Sequence, residues 1–97
     1  MYQATTPTHT FNLPFDALSI TKLILTYQQN HRTVITKTEQ DVALIGKTLS
    51  VTLTQEETKR FSKIPAFVQL RCRVGDKVMA SQILKINVHE SLNREAI

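Results

Sequence analysis

The side chains able to do acid–base or metal chemistry are few in this sequence. The three histidines, His9, His31 and His89, lie far apart, and no two have the spacing of metal ligands on one strand or helix. His89 precedes Glu90, but adjacent residues on a strand point to opposite faces, so the two make a poor acid–base pair. We interpret the histidines as surface residues and expect no metal site.

Motifs for nucleophilic catalysis and phosphate binding are also missing. The serines lack a Gly-x-Ser-x-Gly context, and two glycines in all cannot build a glycine-rich phosphate loop. The single cysteine, Cys72, excludes an internal disulfide, and its alternation with apolar neighbours indicates a small buried hydrophobe. The sequence therefore predicts a protein that is not an enzyme and has no cofactor and no small-molecule substrate.

Basic residues are the remaining candidates for specific chemistry. The net charge of +4 raises the possibility of an anionic partner such as nucleic acid or an acidic protein surface. Most lysines and arginines are scattered, and no exposed aromatic residues alternate with arginines as they do in single-stranded nucleic-acid sites. Nucleic acid is therefore an alternative and not the favoured partner. Its candidate anion-binding residues are the clustered Lys59, Arg60, Lys63, Arg71 and Arg73.

The adjacent carboxylates Glu56 and Glu57 have a structural explanation. The segment from Thr54 to Glu57 has the form of a capping box, in which the first and last side chains bond each other's backbone N–H. A helical turn near residues 55–62 follows. Pro65 limits its length, and Phe61 is the residue expected to pin it onto a core.

Strict alternation in the flanking segments predicts an all-β fold. In residues 48–54 the apolar side chains occupy every second position, and residues 67–74 repeat the pattern. About seven short strands with polar turns between them indicate a small antiparallel β-sandwich, immunoglobulin-like, with a small barrel as the alternative. The remaining predicted strands are 11–15, 20–27, 32–38, 42–45 and 78–88.

Two turns and one irregularity are expected between these strands. Asn30 is the residue best suited to a positive φ in the turn at 28–31, and Gly75 and Asp76 form a second hairpin turn. In the last strand Val78, Ala80, Leu84, Ile86 and Val88 are predicted to share the inner face, with Ile83 marking a bulge or a contact.

The length of 97 residues predicts one domain. Residues 1–8 are expected to form an extended arm, residues 9–88 the β-sandwich domain and residues 89–97 a polar tail. No apolar run is long enough to cross a bilayer, and the first residues lack the features of a signal peptide. We therefore expect synthesis in the cytoplasm and no membrane partner.

Assembly with other chains is the remaining hypothesis for function. The threonine-rich strand at 33–38 carries little proline or lysine to protect it if it forms a sheet edge, where free N–H and C=O groups can pair with another chain. An ordinary solvated edge is the alternative. The candidate assembly residues in the arm, this edge and the tail are Tyr2, Thr5, Thr33, Ile35, Leu92 and Ile97.

Four segments together resemble a family of small proteins from tailed bacteriophages and prophages of Gram-positive bacteria. They are THTFNLPF at 8–15, LTYQQN at 25–30, VTLTQEET at 51–58 and VQLRCR at 68–73. The resemblance covers nearly the whole chain. LTQEET is its most specific part, although its physical basis is a helix cap that can arise by convergence.

The resemblance implies a setting and no catalytic site, because members of the family are encoded among virion morphogenesis genes. It implies a structural or accessory protein of the virion, made in the bacterial host cytoplasm. Its partners would be other phage structural proteins and copies of itself. A capsid-associated or head-to-tail adaptor position is favoured over the tail or baseplate. The alternative from another class is a small basic β-domain that binds nucleic acid or a host protein.

Overall fold

The computed structural model describes residues 1–97 and contains two antiparallel sheets, which confirms the small β-sandwich. No helix is long and apolar enough to cross a membrane. The strands are β1 (Thr8–Asn12), β2 (Ile20–Gln29), β3 (Arg32–Thr38), β4 (Ala43–Ile45), β5 (Thr48–Thr52), β6 (Ala66–Val74), β7 (Lys77–Ala80) and β8 (Leu84–Ile86). The helical elements are α1 (Gln55–Lys59) and two 3₁₀ turns, Ala17–Ser19 and Glu39–Asp41.

The two sheets differ in size and in how much of each is covered. The smaller sheet has the order β1-β5-β4. The larger sheet has the order β3-β2-β6, and both β7 and β8 then pair with the free side of β6. Strand β3 is therefore an edge strand, as the hypothesis of an edge at 33–38 requires, and β7 with β8 forms the opposite edge.

The core lies between the sheets and follows from the alternation of apolar residues. On β2 the inner face carries Leu23, Leu25 and Tyr27, and on β6 it carries Val68, Leu70 and Cys72; all are buried. Leu49, Val51 and Leu53 supply the facing side from β5 and the residue after it. The remaining buried apolar residues are Phe11, Leu13, Ala17, Ile20, Ile35, Phe61, Ala66 and Val88.

The predicted helical turn and hairpin turns are present. Glu57 N–H donates to Thr54 Oγ1 at 3.1 Å and Thr54 N–H donates to Glu57 Oε1 at 2.9 Å, which confirms the capping box. Phe61 is 1% exposed and packs edge-on against Tyr27. Asn30 has a φ of 51°, as predicted, and His31 also has a positive φ of 60°, which gives the turn that suits a two-residue hairpin.

The last predicted strand, at 78–88, is interrupted. Ser81 N–H donates to Leu70 O at 2.8 Å, while Leu70 N–H bonds the Ser81 hydroxyl instead of a backbone oxygen. Pairing stops there and resumes at β8. The bulge anticipated near Ile83 is thus a full break. The predicted shared face is wrong for Val78 and Ala80, because they stand opposite Arg73 and Arg71 on the outer face.

Residues 1–8 are not the separate arm that the sequence predicts. Met1 O accepts from His89 N–H at 2.7 Å, Gln3 N–H donates to His89 O at 3.0 Å, and the Ser91 hydroxyl donates to Gln3 O. The Gln3 side chain is buried and donates to Phe61 O at 2.7 Å. These bonds are long-range in sequence, so composition alone could not predict them, and they make both ends part of the sandwich.

Candidate assembly surface

The titratable side chains that meet inside the molecule form two hydrogen-bonded pairs. His9 Nδ1 lies 2.7 Å from the Tyr27 hydroxyl, so His9 is not the surface residue predicted. Lys37 Nζ lies 2.6 Å from Glu57 Oε2. The first pair ties β1 to β2 across the sandwich, and the second ties β3 to α1.

Burial and charge shift the pKa values of these groups. Burial, followed by the positive amino terminus, lowers the pKa of His9, which therefore favours the neutral imidazole. Burial, with the charge of Glu57, raises the pKa of Tyr27. Burial opposes ionisation of Glu57, but the Lys37 ammonium and the Thr54 N–H outweigh it and lower its pKa. The side chains of each pair bond each other within the fold, so we assign both pairs a structural role.

Cys72 is buried on β6, as predicted. It stands opposite Leu23 on β2 and Met79 on β7, and burial raises the pKa of its thiol. A raised thiol pKa and little access to solvent both disfavour reactivity.

The predicted anion-binding residues do not form one surface. Lys59, the last residue of α1, forms a salt bridge with Glu56 at 3.3 Å, and Lys63 forms one with Glu90 at 3.7 Å. Arg60 lies between them in sequence, at the C-terminal end of α1. Arg71 and Arg73 lie toward the other end of β6, about 20 Å from its first residues at the rise of an extended strand. The five residues therefore divide into a largely ion-paired group and a separate pair of arginines.

A third basic residue joins those arginines. Lys22 on β2 stands directly opposite Arg73, and Arg71 is two residues from Arg73 on the same outer face. We call Lys22, Arg71 and Arg73 the basic cluster; all are exposed and none takes part in a salt bridge. Sequence reasoning missed Lys22, although its alternation with Leu23 and Leu25 on β2 already places it on the outer face.

Two depressions mark the outer face of the larger sheet. One of about 280 Å³ lies at the basic cluster and is also lined by Ile24, Val78, Thr38 and Glu39. The Glu39 carboxylate accepts from Leu23 N–H at 3.2 Å, and backbone N–H groups, first its own and then that of Leu23, lower its pKa. The other, of about 800 Å³, lies at the opposite end of the strands and includes Phe67, Ile83, Gln28, Gln69 and Lys85.

The edge formed by β7, the break and β8 is exposed over most of its length. We call residues 77–86 the open edge. Every residue of β7 is exposed, including Val78 at 53% and Met79 at 38%. Ile83 and Leu84 are exposed in the following segment. Because Met79 and Leu84 belong to the inner face, their exposure means that the smaller sheet does not extend over this edge.

The predicted assembly residues have different environments. Tyr2 is exposed with its ring against His89, whereas Thr5 is bound within the fold, its N–H donating to Thr58 Oγ1 at 2.9 Å. Thr33 is exposed on β3, but Ile35 is 4% exposed because it faces Tyr27 in the core. Thr5 and Ile35 are therefore unsuitable contacts for another chain.

The two tail residues remain accessible. Leu92 and Ile97 have fully exposed side chains. The backbone of Ile97 is nevertheless held by the Gln55 side chain, which donates to Ile97 O at 2.6 Å and accepts from Ile97 N–H at 2.9 Å. Ile97 thus presents its apolar side chain from a backbone position bonded to α1.

Comparisons with family models, with curated proteins and with solved structures find no match to this chain.

Proposed function

We propose that this chain is a non-enzymatic structural or accessory protein of a bacteriophage particle. The resemblance of the four segments at 8–15, 25–30, 51–58 and 68–73 supports the setting. The observation that carries the proposal is the open edge, where apolar side chains and unpaired strand backbone are exposed together on one sheet. Such surfaces mark sites of contact with other chains.

The bonded ends of the chain change which surfaces we expect to contact other proteins. The ends of the chain are bonded to the sandwich, so contacts are made by sheet edges and fixed side chains and not by free arms. The open edge contacts one neighbouring protein. A second contact, to another phage protein or to a copy of this chain, is made by Thr33 on the opposite edge and by Leu92 and Ile97 in the tail. The proposed location is the virion, at the head or the head-to-tail junction in preference to the tail or baseplate.

The test is quantitative mass spectrometry of purified particles from the phage or prophage that encodes the chain. We expect the chain at a constant ratio to the major capsid protein through successive gradient purifications. A high copy number would place it in the shell, and a low one in a neck or tail ring. Loss of the chain during purification, or its absence from particles, would contradict the proposal.

A matched pair of variants connects the result to the open edge. Val78→Lys places a charge on β7 without entering the core, because Val78 lies on the exposed outer face. Thr10→Lys is the control, since Thr10 is exposed on β1 of the smaller sheet. We expect the first variant to be depleted from particles and the control to be incorporated normally. Equal incorporation of both would remove the open edge from the proposal.

A further inference from the structure

We propose that the open edge binds an extended, acidic segment of a partner protein, which adds to β7 as a strand and places carboxylates over the basic cluster. The inference rests on the proposed function, since it names the kind of neighbour that the open edge takes. It joins two features that the fold places side by side, a row of free backbone groups and a set of unpaired cations.

The backbone groups of β7 that face outward are those of Val78 and Ala80. A two-residue turn at Gly75 and Asp76 makes Val74 and Lys77 a hydrogen-bonded pair, so the next such pair is Cys72 with Met79. The bond from Ser81 N–H to Leu70 O at 2.8 Å continues this alternation. The intervening Val78 and Ala80 therefore direct N–H and C=O away from β6, where an added strand would pair with them.

The basic cluster has an arrangement that the fold does not need. Lys22 and Arg73 stand directly opposite each other on neighbouring strands, and like charges in that position are destabilising. The Glu39 carboxylate lies in the same depression and offsets part of the charge, but it forms no salt bridge with the cluster. A sequence that keeps a locally unfavourable set of side chains indicates a use outside the fold.

The cluster and the free backbone can serve one ligand. Arg71 and Arg73 stand opposite Ala80 and Val78, so a strand added beyond β7 would run about 10 Å from β6. Long arginine and glutamate side chains can meet across that gap, and the small Ala80 side chain leaves the path from Arg71 open. Carboxylates accept charge-assisted hydrogen bonds from arginine in this way.

Charge favours an acidic protein segment over the other occupants. A second copy would bring the same basic cluster and a net charge of +4 to an edge that already carries Lys77 and Lys85. Nucleic acid is disfavoured because the side chains beside the cluster are aliphatic, Ile24 and Val78, and offer no aromatic surface for bases.

The probe is a short synthetic peptide of alternating glutamate and valine, titrated into the full chain while backbone amide signals are followed by NMR. We expect saturable shifts at Val78 and Ala80, and weaker binding with added salt. Arg71→Glu with Arg73→Glu should weaken binding about tenfold or more. The control is Arg32→Glu with Lys47→Glu, which changes the net charge by the same amount. Both residues are exposed and form no salt bridge, so this variant should bind the peptide normally.

Two further measurements keep the test decisive. Arg73→Glu alone should raise the melting temperature, because it replaces a like-charge pair with an opposite-charge pair beside Lys22, while it weakens binding. A peptide methylated at alternate backbone nitrogens keeps its charge but loses donors, and should bind poorly. Equal binding of that peptide, no shifts on β7, or tighter binding of a single-stranded oligonucleotide through the same arginines would overturn the inference.

The outcomes separate the inference from the proposed function. A chain that is constant in purified particles but does not bind the peptide would refute the acidic segment alone. A chain that binds the peptide but is absent from particles would refute the phage assignment alone.

Discussion

Replacing Gln29 with methionine tests whether a buried amide holds the segment after α1. Gln29 is 6% exposed, and its Nε2 donates to Ser62 O at 2.9 Å and to Ile64 O at 2.8 Å. Its Oε1 accepts from Ser62 N–H at 2.9 Å. The side chain thus substitutes for a strand partner at the position where the chain leaves α1 and enters β6.

The expected cost follows from these contacts. Gln29→Met keeps the length of the side chain and removes its three hydrogen bonds, each of which contributes about 1 kcal/mol net to stability on average. Ser62 is itself exposed, so water can reach part of the released backbone. We therefore expect a loss of about 2 kcal/mol in the free energy of unfolding, a large part of the roughly 5–15 kcal/mol typical of a domain.

Urea unfolding at neutral pH, followed by circular dichroism, measures this loss. Gln40→Met is the matched control, because Gln40 is exposed in the 3₁₀ turn at Glu39–Asp41, and it should change the free energy of unfolding by less than about 0.5 kcal/mol. A loss below about 0.5 kcal/mol for Gln29→Met would refute the reasoning, since water would then replace the amide at no cost.

Three other changes have defined outcomes. Because the pKa of His9 is lowered in the fold, the unfolded chain binds a proton at a higher pH than the folded chain does. The contribution of His9 to stability should therefore be complete above pH 6.5 and fall as the pH drops below it. His9→Gln should reduce this pH dependence, measured as the free energy of unfolding at pH 7 and pH 5. A pH dependence unchanged by the substitution would contradict this. Thr54→Ala should cost about 1 kcal/mol by calorimetry, as a lost helix cap does, while Thr52→Ala on the exposed face should cost less. Cys72 should react with a thiol reagent slowly in the folded chain and rapidly in urea, and equal rates would show that the thiol is accessible.

Local patterns in the sequence predict most of the fold. The alternation in β2, β5 and β6 identifies their buried faces, and the capping box and Phe61 identify α1 and its contact with the core. These features depend on neighbouring residues, so they are readable without knowledge of the rest of the chain.

The candidate site was harder to predict because it depends on pairing between distant strands. Lys22 joins Arg73 only through the register of β2 with β6, and Ile35 is buried only because β3 turns that side toward Tyr27. The exposure of Met79 depends on how far the smaller sheet extends, which no residue of β7 encodes, whereas Val78 is exposed because it lies on the outer face. The break at Ser81 reversed the expected face of Val78, since alternation assumes an uninterrupted strand.

The break at Ser81 also limits the tendency of the open edge to aggregate. A long, flat and apolar edge is a template on which one chain after another can stack into a fibre. Here the edge is divided into a segment of four residues and one of three, with Lys77 and Lys85 placed in them. Such short strands offer few backbone hydrogen bonds, so an unrelated exposed strand would pair with them only weakly. A partner with complementary side chains would gain additional contacts. The interruption thus limits polymerisation of the chain through this edge.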